Sequence, residues 1–347
     1  MRQNNLVIRL AVRILGAGGG LLLLALALLW FWVAREYRRD PMPLLDQAAA
    51  SLVVRTLRES TLLTAAGEPR HLLEYELDGA PEGPVRLALS LPMGPERPLP
   101  VVVILGGLDV GQESLRYVEV HGPNALAAFA YPRPTQDLYE GKALFKLPRI
   151  RRAALAVPSQ VCALATWIRV QAWADPQRVS LLGYSFGAMF VPATARVAQI
   201  RGIPFRTLVM AYGGADLPGL LAANSDLRPA WVKSLAARVV GSVVRPLEPA
   251  LHLPHLKGET LFLTGLKDER VPLSYARLMQ SLKPGPKTIL DLDEGHMDPS
   301  RPDLNRKIVA ASQAWLVDRG ALDAPSQASD TSRLRAQAAS SKKSNRE

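Results

Sequence analysis

The sequence contains one cysteine, Cys162, and only 6% aromatic residues. A single cysteine cannot form an intramolecular disulfide, so a disulfide-stabilised scaffold is excluded. No Cys/His spacing typical of a zinc site is present, and no glycine-rich nucleotide-binding loop follows a predicted strand. We therefore expect no metal and no other cofactor. Hydrophobic residues make up 48% of the 347 residues and charged residues 21%, which is typical of a globular protein.

The net charge of +11 is concentrated at the two ends of the chain. Residues 1–40 hold six arginines against two acidic residues, and residues 331–347 hold five basic residues against one. Basic termini favour contact with anionic lipid head groups. No zinc-finger or aromatic–basic RNA-binding pattern is present, so we expect no nucleic-acid partner.

An uncharged run of twenty residues, Ile14 to Val33, ends in Trp30-Phe31-Trp32. Twenty helical residues span the hydrocarbon core of a bilayer, and aromatic residues favour its interface. The run is longer than the apolar part of a cleaved signal peptide, and no Ala-x-Ala site follows it. We predict a single-pass transmembrane helix acting as a signal-anchor within residues 1–40. The usual signal-anchor topology places the following domain on the periplasmic or extracytoplasmic side.

The remainder of the chain predicts an α/β protein of three layers. Residues 41–100 predict a linker and then antiparallel strands, because residues 71–77 and 85–91 alternate between apolar and polar side chains. Continuous apolar runs then alternate with helical patterns across residues 101–320, which predicts a mainly parallel sheet. The apolar runs are residues 101–105, 126–131, 179–182, 207–212, 260–264 and 288–292.

Two segments depart from this alternation. Residues 216–257 form a proline-punctuated insertion after a predicted strand, and we expect a small helical cap there. Residues 321–347 are rich in Ser, Ala, Gln, Lys and Arg, which predicts a disordered basic tail.

The motif Gly183-Tyr184-Ser185-Phe186-Gly187 lies between an apolar run and a helical pattern. A serine at the tip of such a strand–turn–helix presents its hydroxyl to solvent, and the glycines Gly183 and Gly187 remove side chains that would clash. The turn also directs the amide of Phe186 toward the same point. We predict Ser185 as a nucleophile.

A serine nucleophile needs a base and a carboxylate that orients the base. His296 lies in the loop after the last apolar run and is the candidate base, with His121 as the alternative. Asp268 lies just past another apolar run and is the candidate carboxylate, with Asp216 as a competitor. Both preferred residues follow the carboxyl ends of predicted strands.

A second amide must stabilise the developing oxyanion. Gly106-Gly107 follows the buried run 101–105 and allows a sharp turn there. We predict that Leu108 or Gly107 supplies this amide beside that of Phe186.

With these motifs the chain resembles the α/β-hydrolase superfamily over about residues 101–319, in the order Ser185, Asp268, His296. It is most similar to esterases of the dienelactone-hydrolase and acyl-thioesterase kind. The resemblance implies a serine esterase that cleaves an ester or thioester of a small-molecule or lipid-like acyl substrate through an acyl-enzyme. An acyltransferase with the same triad and a non-catalytic, membrane-tethered binding protein remain the alternatives.

Overall fold

The computed structural model describes residues 20–21, 23–64, 67–107, 110–119, 121–132, 135 and 143–325. Within these residues nine strands form one sheet in the order β1-β2-β3-β5-β4-β6-β7-β8-β9. The strands are β1 Val53–Leu63, β2 Pro69–Asp78, β3 Val85–Pro92, β4 Leu99–Leu105, β5 Ala125–Ala130, β6 Ala174–Tyr184, β7 Thr207–Ala211, β8 Glu259–Gly265 and β9 Lys287–Leu292.

The sheet changes character at β5. The first three strands pair antiparallel, and β3 also pairs antiparallel with β5. All pairings from β5 through β4 and on to β9 are parallel. The prediction of antiparallel N-terminal strands followed by a mainly parallel sheet is thus confirmed.

Helices cover both faces of the sheet. They are α1 Met42–Leu45, α2 Ala143–Arg169, α3 Val191–Ile200, α4 Leu217–Ala223, α5 Ala230–Val244, α6 Pro249–His252, α7 Leu273–Leu282 and α8 Pro302–Asp318. Val101 and Val103 of β4 face the core formed with α2 and α3, whereas Val102 and Ile104 face the core formed with α8. Burial on both faces explains why these strands have continuous apolar sequences.

The ends of the folded body differ from their sequence assignments. Residues 42–45, assigned to a linker, form α1, whose Met42 and Leu45 are buried and whose Leu45 carbonyl accepts a 2.6 Å hydrogen bond from Ser159 Oγ. Ala321 and Leu322, assigned to the tail, are also buried. Asp323 then pairs with Arg97 and Arg178, at 2.9 and 2.8 Å.

Residues 23–38 are helical and expose a series of large apolar side chains, including Leu23, Trp30 and Phe31. Across the described residues, no helix has the length and apolar character needed to cross a membrane. Residues 14–19 and Leu22 of the predicted transmembrane run lie outside the described residues. The membrane helix therefore stays a prediction.

The C-terminal end of this N-terminal helix is joined to the body. Glu36 is buried and its carboxylate accepts a 2.5 Å hydrogen bond from Arg151 of α2. Arg245, which follows α5, donates to the Glu36 carbonyl at 2.8 Å and lies over the Tyr37 ring. These contacts fix where the N-terminal segment leaves the body.

Candidate active site

Ser185 stands at a sharp turn between β6 and α3. Strand β6 ends at Tyr184, and Ser185 begins the short 3-10 turn Ser185–Met189 that leads into α3. The φ angle of Ser185 is 52°, in the left-handed region that non-glycine residues rarely adopt. Strain of this kind persists where the surrounding structure enforces it, which is common at functional sites.

Two glycines make the turn sterically feasible. A Cβ added to Gly183 would lie 2.6 Å from the Gly187 carbonyl oxygen and 2.7 Å from Ala188 Cα. A Cβ added to Gly187 would collide with the backbone carbonyl of Leu105, at the end of β4. The turn is therefore packed directly against the neighbouring strand, and only glycine fits at either position.

The side chains of Ser185, His296 and Asp268 form one hydrogen-bonded line. Ser185 Oγ lies 2.8 Å from His296 Nε2, and His296 Nδ1 lies 2.7 Å from Asp268 Oδ2. His296 and Asp268 are buried, with exposed fractions of 6% and 8%. Ser185, His296 and Asp268 lie in the loops after β6, β9 and β8. These loops meet because the carboxyl ends of parallel strands share one edge of the sheet.

Asp268 sets the tautomer of the histidine. Its Oδ1 accepts hydrogen bonds from the backbone amides of Arg270 and Val271, both at 2.8 Å, which turns Oδ2 toward His296. An ionised carboxylate can only accept, so His296 Nδ1 carries the proton. Nε2 is then free to accept the hydroxyl proton of Ser185, as a general base requires.

The histidine ring is also held by packing. Tyr212, at the end of β7, meets the His296 ring edge-on with the ring centroids 5.7 Å apart. Burial raises the pKa of the Tyr212 phenol, and the charges of Asp268 and Glu294 raise it further. Arg301 Nη1 donates to the His296 carbonyl at 3.2 Å and fixes the loop itself.

The turn after β4 lies beside the nucleophile. Tyr131 donates a 2.9 Å hydrogen bond to the Gly106 carbonyl, and Gly107 lines the same pocket as Ser185. Phe186 occupies the first turn of its 3-10 helix, where amides have no partner within the helix, so its N–H can serve as a donor. Leu108, the other candidate donor, lies outside the described residues.

A pocket of about 120 Å³ opens at Ser185 and His296. The turn after β4, the loop after His296 and the start of α8 enclose it. Its lining residues are Gly106, Gly107, Val110, Ser114, Tyr117, Tyr184, Ser185, Phe186, Arg270, His296, Met297, Asp298, Pro299, Asn305 and Val309. None of them belongs to residues 216–257, so the expected cap does not line this pocket. Instead, that insertion packs its helices α4 and α5 together, with Gly241 against Pro218.

Two alternatives left open by the sequence, Asp216 and His121, make other contacts in the structure. Asp216 is the N-cap of α4 and accepts a 3.1 Å hydrogen bond from the amide of Gly219, whereas the carboxylate in contact with His296 is that of Asp268. His121 is buried away from Ser185, between Ser90 Oγ at 2.8 Å and the Val118 carbonyl at 3.0 Å. Desolvation, helped by the charge of Arg70, lowers the pKa of His121 to about 4.

Sequence reasoning did not identify four residues that shape this site: Ser114, Tyr212, Arg270 and Asn305. Tyr212 closes a predicted strand, and Arg270 lies in the same loop as Asp268, so proximity to the site could have been inferred for both. Ser114 and Asn305 gave no comparable signal, since they lie on a 3-10 turn and at the start of a helix.

Comparison with known proteins agrees with this fold. A sequence model described as the prolyl oligopeptidase family matches residues 152–320. An acetyl xylan esterase from Paenibacillus sp. R4 superposes with a TM-score of 0.56 at 15% identity, over 82% of this chain and 93% of that one. No curated protein sequence matches the chain significantly.

Two further solved structures are similar. A 2,6-dihydroxy-pseudo-oxynicotine hydrolase has a TM-score of 0.53 at 19% identity, over 73% of this chain and 68% of that one. A Pyrococcus horikoshii acylaminoacyl peptidase has a TM-score of 0.52 at 15% identity, over 77% of this chain and 48% of that one. These identities are low, so the likeness shows a common fold.

The chain thus has the α/β-hydrolase fold that the motifs predicted. The match of residues 152–320 to the prolyl oligopeptidase family agrees with the serine-centred site.

The carboxylate assignment predicts the effect of Asp268→Asn. An amide there would donate to His296 Nδ1 and favour the wrong tautomer, so we expect kcat to fall about 10³- to 10⁴-fold with the fold intact. The measurement is steady-state hydrolysis of a chromogenic ester. Asp216→Asn is the matched control, because asparagine also caps helices and the rate should change less than about twofold. The reverse pattern of losses would reassign the triad acid to Asp216.

Proposed function

We propose that this protein cleaves carboxylic esters or thioesters through an acyl-enzyme on Ser185. The observation that carries the proposal is the 2.8 Å contact between Ser185 Oγ and His296 Nε2, with His296 oriented by Asp268. Nucleophile, base and orienting carboxylate are thereby all within hydrogen-bond distance of their partners.

In each half-reaction His296 accepts a proton and then donates it. Ser185 Oγ attacks the carbonyl carbon while Nε2 takes the hydroxyl proton, and the carbonyl oxygen becomes an anion near the Phe186 amide. His296 then passes that proton to the departing alcohol or thiol. A water molecule repeats the sequence on the acyl-enzyme, releasing the acid and restoring the Ser185 hydroxyl.

The choice of an ester bond rests on the site and on similar structures. The pocket beside Ser185 holds about 120 Å³, which suits a short group. The structural neighbours include an acetyl xylan esterase from Paenibacillus sp. R4. Cleavage of an amide bond is the second candidate, favoured by the match to the prolyl oligopeptidase family and by the acylaminoacyl peptidase neighbour.

Parallel assays of p-nitrophenyl esters and the corresponding p-nitroanilides test this choice. We expect measurable turnover of acetyl and butyryl esters, far slower cleavage of the anilides, and a loss of at least about 10³-fold in Ser185→Ala. Cys162→Ala is the control and should retain activity, because Cys162 is buried and its pKa is raised to about 12. Ester turnover that survives in Ser185→Ala would refute the mechanism, and faster anilide cleavage would favour a peptidase.

We further propose that residues 14–33 tether the hydrolase to a membrane, with the body on the extracytoplasmic side. The uncharged run supports this, as do the exposed apolar side chains of residues 23–31. The contacts of Glu36 with Arg151 and of Arg245 with the end of the N-terminal helix would then hold the body close to its anchor.

Removal of residues 1–33 tests the tether. We expect the full chain to stay with the membrane pellet after carbonate extraction and the shortened chain to move to the supernatant, because the apolar run is lost. The shortened chain should keep its ester turnover, since the described site residues all lie beyond residue 100. Complete release of the full chain by carbonate would exclude a spanning anchor.

A further inference from the structure

Two polar atoms of residues that line the catalytic pocket have no hydrogen-bond partner among the residues that the structure describes. Ser114 Oγ and Asn305 Oδ1 are both buried and unpaired, and both residues line the pocket that opens at Ser185. Ser114 is 6% exposed and Asn305 is 4% exposed. Buried polar groups in folded proteins nearly always have partners, so unpaired ones beside a nucleophile point to a ligand that completes them.

The orientation of the Asn305 amide is fixed by its neighbour. Its Nδ2 donates a 2.8 Å hydrogen bond to the backbone carbonyl of Asp298, which can only accept. The Oδ1 atom is therefore the one left without a partner, and it requires a donor. A hydroxyl group or an amide N–H satisfies that requirement, whereas an alkyl group does not.

Ser114 lies next to the turn after β4. A Cβ added to Gly106 would come within 3.1 Å of Ser114 Cβ, so Ser114 is packed directly against that turn. No hydrogen bond joins Ser114 to Asn305, and both residues line the pocket. A hydroxyl can donate or accept, so Ser114 can complement whichever group meets Asn305.

The charges at the pocket favour an uncharged ligand group. Arg270 and Asp298 both line the pocket, and they pair with each other at 3.3 Å between Nη2 and Oδ2. Their charges are thus largely balanced. At about 120 Å³ the pocket is smaller than the roughly 300–1,000 Å³ of a typical small-molecule site, which favours a short substituent.

We propose that Asn305 and Ser114 form a specificity subsite for a short, neutral substituent that carries a hydroxyl or amide N–H. This rests on the proposed function, because the substituent belongs to the ester that Ser185 cleaves. When an alkyl analogue is bound, Asn305 Oδ1 stays unpaired, so the subsite favours the polar substrate. Sites that hydrogen-bond a substrate hydroxyl discriminate strongly against the analogue that lacks it.

Two pairs of isosteric esters test the subsite. On the acyl side, p-nitrophenyl 3-hydroxypropionate is compared with p-nitrophenyl butyrate, and on the leaving-group side 2-hydroxyethyl butyrate is compared with propyl butyrate. Each pair differs only by a hydroxyl in place of a methyl. We expect one of the pairs to show a kcat/KM about tenfold higher for the hydroxyl ester, the selectivity of one buried hydrogen bond.

Asn305→Leu should abolish that preference, because leucine offers no acceptor to the hydroxyl, and the readout is the ratio of kcat/KM for the hydroxyl and alkyl esters rather than the absolute rate of either. Ser114→Ala should also reduce the preference. It provides a second test of the subsite if Asn305→Leu does not fold. Asn124→Leu is the control, because Asn124 is equally buried but pairs with His121 and Asp323 away from the pocket. It should leave the hydroxyl-to-alkyl ratio unchanged.

The same ratio in wild type, Asn305→Leu and Ser114→Ala for both pairs would overturn the subsite. Ser185→Ala separates this result from a failure of the proposed function. Loss of turnover on all four esters in Ser185→Ala, with unchanged ratios in the other variants, would reject the subsite and retain the serine mechanism.

Discussion

The geometry of the site depends on the hydrogen bond between Asp268 Oδ2 and His296 Nδ1, which is 2.7 Å long and almost fully removed from solvent. It determines which nitrogen of the ring faces Ser185, and without it the 2.8 Å contact at Nε2 has no defined direction of proton transfer. Two backbone amides of the loop after β8 bind Asp268 Oδ1, so that loop sets the orientation of the carboxylate.

The sheet brings the three side chains of the site together. Parallel strands β6, β8 and β9 end at the same edge, so their connections deliver serine, carboxylate and histidine to one point. Contact between the Ser185 turn and the end of β4 leaves room only for glycine at Gly187, and it places Gly106 and Gly107 beside the nucleophile. The strained φ of Ser185 follows from that packing.

The sequence was most informative where burial and steric constraint act locally. Continuous apolar runs identified the doubly covered strands β4 to β8, and the glycine spacing identified the turn at Ser185, because both patterns come from neighbouring residues. The choice between Asp268 and Asp216 could not be made that way. Both follow strands, and only the three-dimensional structure shows that Asp216 caps α4. Ser114 and Asn305 were missed for a related reason, since an unpaired atom is defined by surroundings distant in sequence.

The most direct measurement is covalent labelling of the folded protein with a fluorophosphonate, followed by peptide mapping by mass spectrometry. The account predicts a single adduct on Ser185, formed in the native protein and absent after denaturation, because only the folded chain brings His296 to the serine hydroxyl. An adduct on another residue, or none on well-folded protein, would contradict it.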